Sequence, residues 1–81
     1  MLKEGNFKEE YSSTIKSVSW KEERTDKDIS LGLLKIEFRT GSIYEYSDVP
    51  ERIYYNFSNA VSKGKYFHRE IARSYNYKKL N

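Results

Sequence analysis

Seven residues close to the C-terminus have the types and spacing to hold an anion: Lys63, Gly64, Lys65, Arg69, Arg73, Lys78 and Lys79. Lys65, Arg69 and Arg73 recur every fourth residue, so on a helix they line up as one outward cationic stripe. Such a stripe neutralises phosphates, and binding through it weakens steeply as salt rises. The turn Ser62-Lys63-Gly64-Lys65 stands before a helix start. Its backbone N–H groups and flexible glycine suit either a helix cap or a captured phosphate. The longer glycine-to-Gly-Lys-Ser/Thr spacing of a P-loop is absent.

Four tyrosines, Tyr44, Tyr46, Tyr66 and Tyr77, are the candidates for aromatic stacking on a base. Tyr44 and Tyr46 alternate on one strand face. They either pack under the helices with their hydroxyls at the core edge or offer open ring faces to a ligand. The open platform is excluded if Leu34, Ile36 and Phe38 share a helix-covered face with them.

Little else could do chemistry. The chain has no cysteine, which removes thiol nucleophiles and thiolate zinc sites. His68 is the sole histidine and has no serine or carboxylate at a recognisable motif spacing. Glu22, Glu23 and Asp26-Lys27-Asp28 lack the glycine and terminal glutamate of a calcium loop and read as a solvated turn. Asn56-Phe57-Ser58 matches a glycosylation sequon but falls inside a helical pattern. These residues point to a non-enzymatic binding module with no cofactor and no metal.

The elements that must position the candidates are short. With 81 residues, 37% of them hydrophobic, the chain makes one domain with a small core that no disulfide can staple. The 16% of aromatic residues supply much of the buried area. No run of about 18 apolar residues exists to span a membrane, and Met1 to Tyr11 lacks the apolar centre of a signal peptide, so the expected location is cytoplasmic. The net charge of +3 is unevenly spread. Lys63, Lys65, Arg69, Arg73, Lys78 and Lys79 stand against Glu70 alone in residues 63–81, which favours an anionic partner.

Residues 1–12 read as a flexible arm with Leu2, Phe7 and Tyr11 as packing points, 13–75 as the domain, and 76–81 as a basic tail. Val18 and Trp20 share a face of a first strand over 15–22. Ile15 is out of phase with them, which predicts a bulge. Leu34, Ile36 and Phe38 alternate with Lys35, Glu37 and Arg39 in a second strand, and Thr40-Gly41 turns the chain into a third over 43–46. Pro50 starts a helix whose stripe is Ile53, Tyr54, Phe57, Ala60 and Val61. A second helix over 65–75 buries Phe67, Ile71 and Tyr75 opposite the cationic stripe. The expected fold class is α+β: a three-stranded antiparallel meander followed by two helices on one face, β-β-β-α-α.

In this order and at this spacing, Ser12-Ser13-Thr14-Ile15, Leu34-x-Ile36-x-Phe38, Tyr44-x-Tyr46, Val49-Pro50 and Ala60-x-Ser62-x-Gly64-x-Tyr66-Phe67, with Ile71 and Tyr75, resemble the KTSC domain. That family is named for its place at the C-terminus of some lysyl-tRNA synthetases and also occurs as free-standing small bacterial and phage proteins. Trp20 stands where the family has tyrosine and His68 where it has asparagine, and the 21–30 stretch is longer and more charged. The resemblance implies an RNA-binding role by way of the synthetase context. The first expected partner is therefore RNA or another polyanion, bound through the basic helix face. An alternative is a phosphorylated nucleotide in a pocket of Tyr44, Tyr46 and Ser62 to Lys65, completed or not by a second subunit. A third reading is a protein-interaction module, with a homodimer formed across exposed strand edges.

Overall fold

The strand that alternates Leu34, Ile36 and Phe38 with charged residues organises the whole molecule. In the computed structural model, which describes residues 3–8 and 14–81, it is β3, Ile29–Phe38. It lies at the centre of a five-stranded antiparallel sheet whose spatial order repeats the chain order: β1 Glu4–Lys8, β2 Ile15–Asp26, β3, β4 Ile43–Pro50 and β5 Tyr77–Lys79. Helices α1, Glu51–Ser58, and α2, Lys63–Tyr66, follow β4. Leu34 and Ile36 are fully buried, while Lys35 on the other face is exposed, as the period-two pattern requires.

The sheet has five strands where three were expected. Both additions are short edge strands in segments read as arm and tail, and neither carries an apolar alternation. Each is held by main-chain pairing and one aromatic residue. Phe7 of β1 packs against Tyr54 and Phe57 at 5.9 and 5.6 Å between ring centroids. Tyr77 of β5 packs against Tyr44 and Tyr46 at 5.6 and 5.4 Å. The expected packing points Leu2 and Tyr11, and the family-like Ser12-Ser13, lie outside the described residues.

The charged stretch 21–30 is also corrected. It is not a solvated loop but the continuation of β2 and the start of β3, closed by Lys27-Asp28 at φ of 50° and 67°. Positive φ at both central residues gives the turn the twist of the strands it joins. This hairpin end carries mostly exposed side chains, so no hydrophobic period betrayed it. Glu22 and Ser30 are the exceptions, both buried, and Glu22 is the charged one. At 7% exposure it accepts from the Lys3 N–H and the Thr25 hydroxyl, and hydrogen bonds from Ser30 and Lys3 hold its carboxyl below the usual range. The expected irregularity at Ile15 is present as a register shift between Ile15 and Ser17, which brings Ile15 into the core.

Pro50 precedes α1 with φ −64°, and Ile53 and Phe57 are its buried residues. The helix stops at Ser58, earlier than its apolar pattern suggested, and Val61 is fully exposed rather than part of the stripe. Ser58 Oγ and Asn59 Nδ2 both turn back to the Tyr55 carbonyl, at 2.7 and 3.0 Å. Such local side-chain bonds compete with helix continuation. The second helix is likewise shorter than 65–75. Four residues of α2 run straight into a π-helical turn, Phe67–Ile71, closed by the Ala72 N–H on the Phe67 carbonyl at 2.9 Å. Phe67 and Ile71 are buried as expected, and Tyr75 is half-buried beyond the helix end. Trp20 fixes the junction between β4 and α1 by donating its indole N–H to the Val49 carbonyl at 2.9 Å. Among the described residues no helix is long and apolar enough to cross a membrane.

Candidate functional site

Helix α2 and its π turn are anchored to the sheet through Tyr66, Phe67 and Ile71, so the other side of this segment faces solvent. Lys65 and Arg69 are exposed there, and Arg73, expected on the same helix, is exposed in the turn that follows Ile71. Arg69 is partly engaged: its Nε donates to Glu70 at 2.9 Å and its guanidinium lies 5.7 Å from the Tyr66 ring centroid. The remaining expected cations are dispersed. Lys63 is half-buried, donates to the Ala60 carbonyl and sits 5.9 Å from the Phe7 ring centroid, so it is not part of the stripe. Lys78 pairs with Glu45 at 3.7 Å on the sheet face away from the helices. Lys79 stands opposite Tyr44 in the β4–β5 register, on the helix side.

The turn into α2 is capped from within. Ser62 Oγ accepts from the Lys65 N–H at 3.3 Å, and the Ser62 carbonyl accepts from the Tyr66 N–H at 3.0 Å. Gly64 lies beside Thr14, whose Oγ1 would be 3.6 Å from an added Cβ.

The aromatic candidates separate into covered and open rings. Tyr46 opposes Leu34 and Tyr44 opposes Ile36, so the tyrosines share the helix-covered face, and the open Tyr44–Tyr46 platform is corrected on that ground. Tyr46 is 4% exposed between Phe67 and Tyr77. Burial, reinforced by the neighbouring Tyr77 and Tyr44 hydroxyls, pushes its phenol up to about 12. Tyr66 is also withdrawn from stacking on a ligand. It is buried, lies nearly parallel to Phe57 at 5.5 Å and donates to the Ile53 carbonyl at 3.3 Å. Tyr44 is half-buried and Tyr77 is 58% exposed, and their rings meet edge to face at 73°.

These two tyrosines belong to a groove of about 600 Å³ between the β3–β4 hairpin, β5 and the π turn. Phe38, Tyr44, Phe67 and Tyr77 give it aromatic walls, and Arg39 and His68 are its basic residues. Among the described residues no aspartate or glutamate lines it. Phe38, Arg39 and the small hydroxyl residues of the hairpin were missed as site residues. The alternation had assigned Phe38 to the core and Arg39 to solvent, and both meet the groove because the hairpin ends there. The expected nucleotide pocket of Tyr44, Tyr46 and Ser62 to Lys65 does not form. Ser62 and Lys65 border a different hollow with Val61 and Arg69, outside the groove. Among the described residues no cluster of three or more histidines, cysteines, aspartates or glutamates is placed to hold a metal ion.

The family model for the KTSC domain matches residues 11–75, most of the chain. The chain belongs to the KTSC domain family. The crystal structure of a KTSC domain protein from Yersinia pestis is similar over 98% of this chain and 100% of its own, with a TM-score of 0.75 and 33% identity. The likeness therefore reaches past the KTSC model's bounds to segments that hold β1 and β5. Among curated proteins, the lysine–tRNA ligase of Nostoc sp. is 46% identical over 48 residues, and that of Trichormus variabilis 44% over 48 residues. The matched stretch makes up 59% of this chain and 9% of each ligase.

Proposed function

We propose that this KTSC domain is a small binding module for RNA or a similar polyanion, and that the outward side of α2 and its π turn is the contact. The observation that carries the reading is the exposure of Lys65 and Arg69 on a segment whose Tyr66, Phe67 and Ile71 are buried, with Arg73 exposed in the turn just beyond it. The reading is supported by the recurrence of a like stretch in ligases whose name gives tRNA as their substrate. The groups present suit charge neutralisation and hydrogen bonding, so the reading is one of binding rather than catalysis. Backbone phosphates are the natural targets, because nothing in the stripe distinguishes one base from another.

Three phosphate contacts on a single strand give a log–log salt slope of about −2, so raising salt from about 50 to 200 mM weakens binding roughly 20-fold. A titration of labelled single-stranded RNA at several salt concentrations tests this. Expected is salt-dependent binding that Lys65→Ala, Arg69→Ala and Arg73→Ala together abolish. No binding at low ionic strength, or binding indifferent to the triple substitution, overturns the reading.

A further inference from the structure

We infer that the groove between Tyr44, Tyr77 and the π turn is a site for one nucleotide, its base against the aromatic walls and its phosphate at the basic rim. This inference does not rest on the polyanion reading. The stripe residues Lys65 and Arg69 border a separate hollow and take no part in the groove.

Three independent features converge on this ligand. The first is size and surface: about 600 Å³ is within the range of small-ligand clefts, and the walls are aromatic with a few polar groups at the edge. Phe38 meets both Tyr44 and Phe67 edge to face, at 77° and 72°. With its edge partners thus placed, the cluster leaves Tyr77 58% exposed as the ring on which a planar base can lie. The second feature is charge. Arg39 and His68 line the groove, Lys79 stands beside Tyr44 on the same sheet face, and among the described residues no carboxylate lines it. A neutral aromatic ligand would have no use for that rim, whereas a base carrying a phosphate uses both parts. The third is the π turn itself. The bond from Ala72 to Phe67 adds a residue to the helical turn at the groove, and His68 and Ala72 both line it. Such turns are rare and are frequently found at functional sites.

The shared chemistry of base plus phosphate could be presented by a free nucleotide or by an unpaired nucleotide within RNA. Titrations of the full chain with adenosine 5′-monophosphate and, separately, with single-stranded oligoadenylate, followed by nuclear magnetic resonance, distinguish the two. Either ligand is expected to shift the signals of Tyr44, His68, Ala72 and Tyr77. A response to both or only to the oligonucleotide identifies an RNA nucleotide, and a response only to the monophosphate identifies a free one. Tyr77→Ala is expected to weaken binding about tenfold, while Tyr77→Phe, which keeps the ring, retains it. Tyr77 is exposed enough for the variants to fold, and their spectra report this directly. Groove signals unmoved by both ligands, or full affinity in Tyr77→Ala, overturn the inference. RNA binding that moves only Lys65, Arg69 and Arg73 leaves the polyanion reading standing and overturns this one. Monophosphate binding that survives the triple stripe substitution, with no RNA binding, does the reverse.

Discussion

Replacing Gly32 with alanine should destabilise the domain more than any other single-methyl change. A Cβ built at Gly32 would lie 2.2 Å from the Lys21 carbonyl oxygen, 2.8 Å from its carbon and 2.9 Å from Cε2 of Trp20. A tolerable carbon–oxygen contact is about 3.3 Å or more, so β2 and β3 must separate locally by about 1 Å. They cannot do so cheaply. Lys21 pairs with Leu33 and Glu22 with Gly32 in the ladder, and Trp20 is tethered to Val49 by its indole bond. Overpacking ordinarily costs about 1–3 kcal/mol, and with backbone as the obstacle the upper end, about 3 kcal/mol, applies. In a domain of this size each kcal/mol lowers Tm by about 4–8 °C, so the drop should be about 12–24 °C. Thermal unfolding by circular dichroism measures it, with Trp20 fluorescence as a local reporter of the displaced ring. Gly41→Ala is the control: its φ of +97° strains an added side chain, but nothing lies within 4 Å of the new carbon. It should cost about 1–2 kcal/mol, from backbone conformation alone. A Gly32→Ala protein that melts within about 4 °C of the parent would refute the reasoning.

Alkaline stability follows from Tyr46. Its phenol titrates at about 12 when folded, above the ordinary value of 10, so folding favours the neutral form. The contribution is complete below pH 10, falls as the unfolded chain ionises between about 10 and 12, and is gone above that. At 1.36 kcal/mol per pH unit the ceiling is about 2.7 kcal/mol, and solvent in the adjoining groove lowers it to roughly 1–2 kcal/mol. Urea unfolding across this range should show the decline, and Tyr46→Phe should flatten it by that amount. Burial moves Tyr54, Tyr66 and Tyr75 in the same direction, so a residual slope is expected in the variant. Ser62→Ala removes the bond to the Lys65 N–H at 3.3 Å, a long and exposed cap. Its cost should be near the low end for caps, about 0.5–1 kcal/mol, read as a Tm decrease of a few degrees.

The central strands were legible because their hydrophobic period was unambiguous. Leu34 and Ile36 face the helices with Tyr44 and Tyr46, and Gly41 takes the positive φ its turn needs. Pro50 marked the first helix start, although it stands just before the helix as the extended last residue of β4 and not at its first position. The edge strands left no such trace, since pairing through the main chain asks little of side chains beyond Phe7 and Tyr77. The long β2–β3 hairpin was obscured because charged residues on an exposed ladder look the same as charged residues in a loop. The spacing of Lys65, Arg69 and Arg73 assumed a helix to residue 75, and the helical segment ends at Ile71. The groove was not legible, because its walls come from three segments that only the β4–β5 pairing and the π turn bring together.

The sheet's spatial order repeats the chain order, but its connections are unequal. The strands from β1 to β4 follow one another through turns or short links, whereas β4 and β5 are separated by both helices. Pairing β5 closes by far the longest loop in the sheet, and the entropy of that closure places it late in assembly. Tyr44 and Tyr77 therefore meet across the longest closure in the sheet, the one that spans both helices. A ligand held between them would bind the finished domain and not a partly assembled meander, and by mass action it would secure the last strand and with it the whole chain.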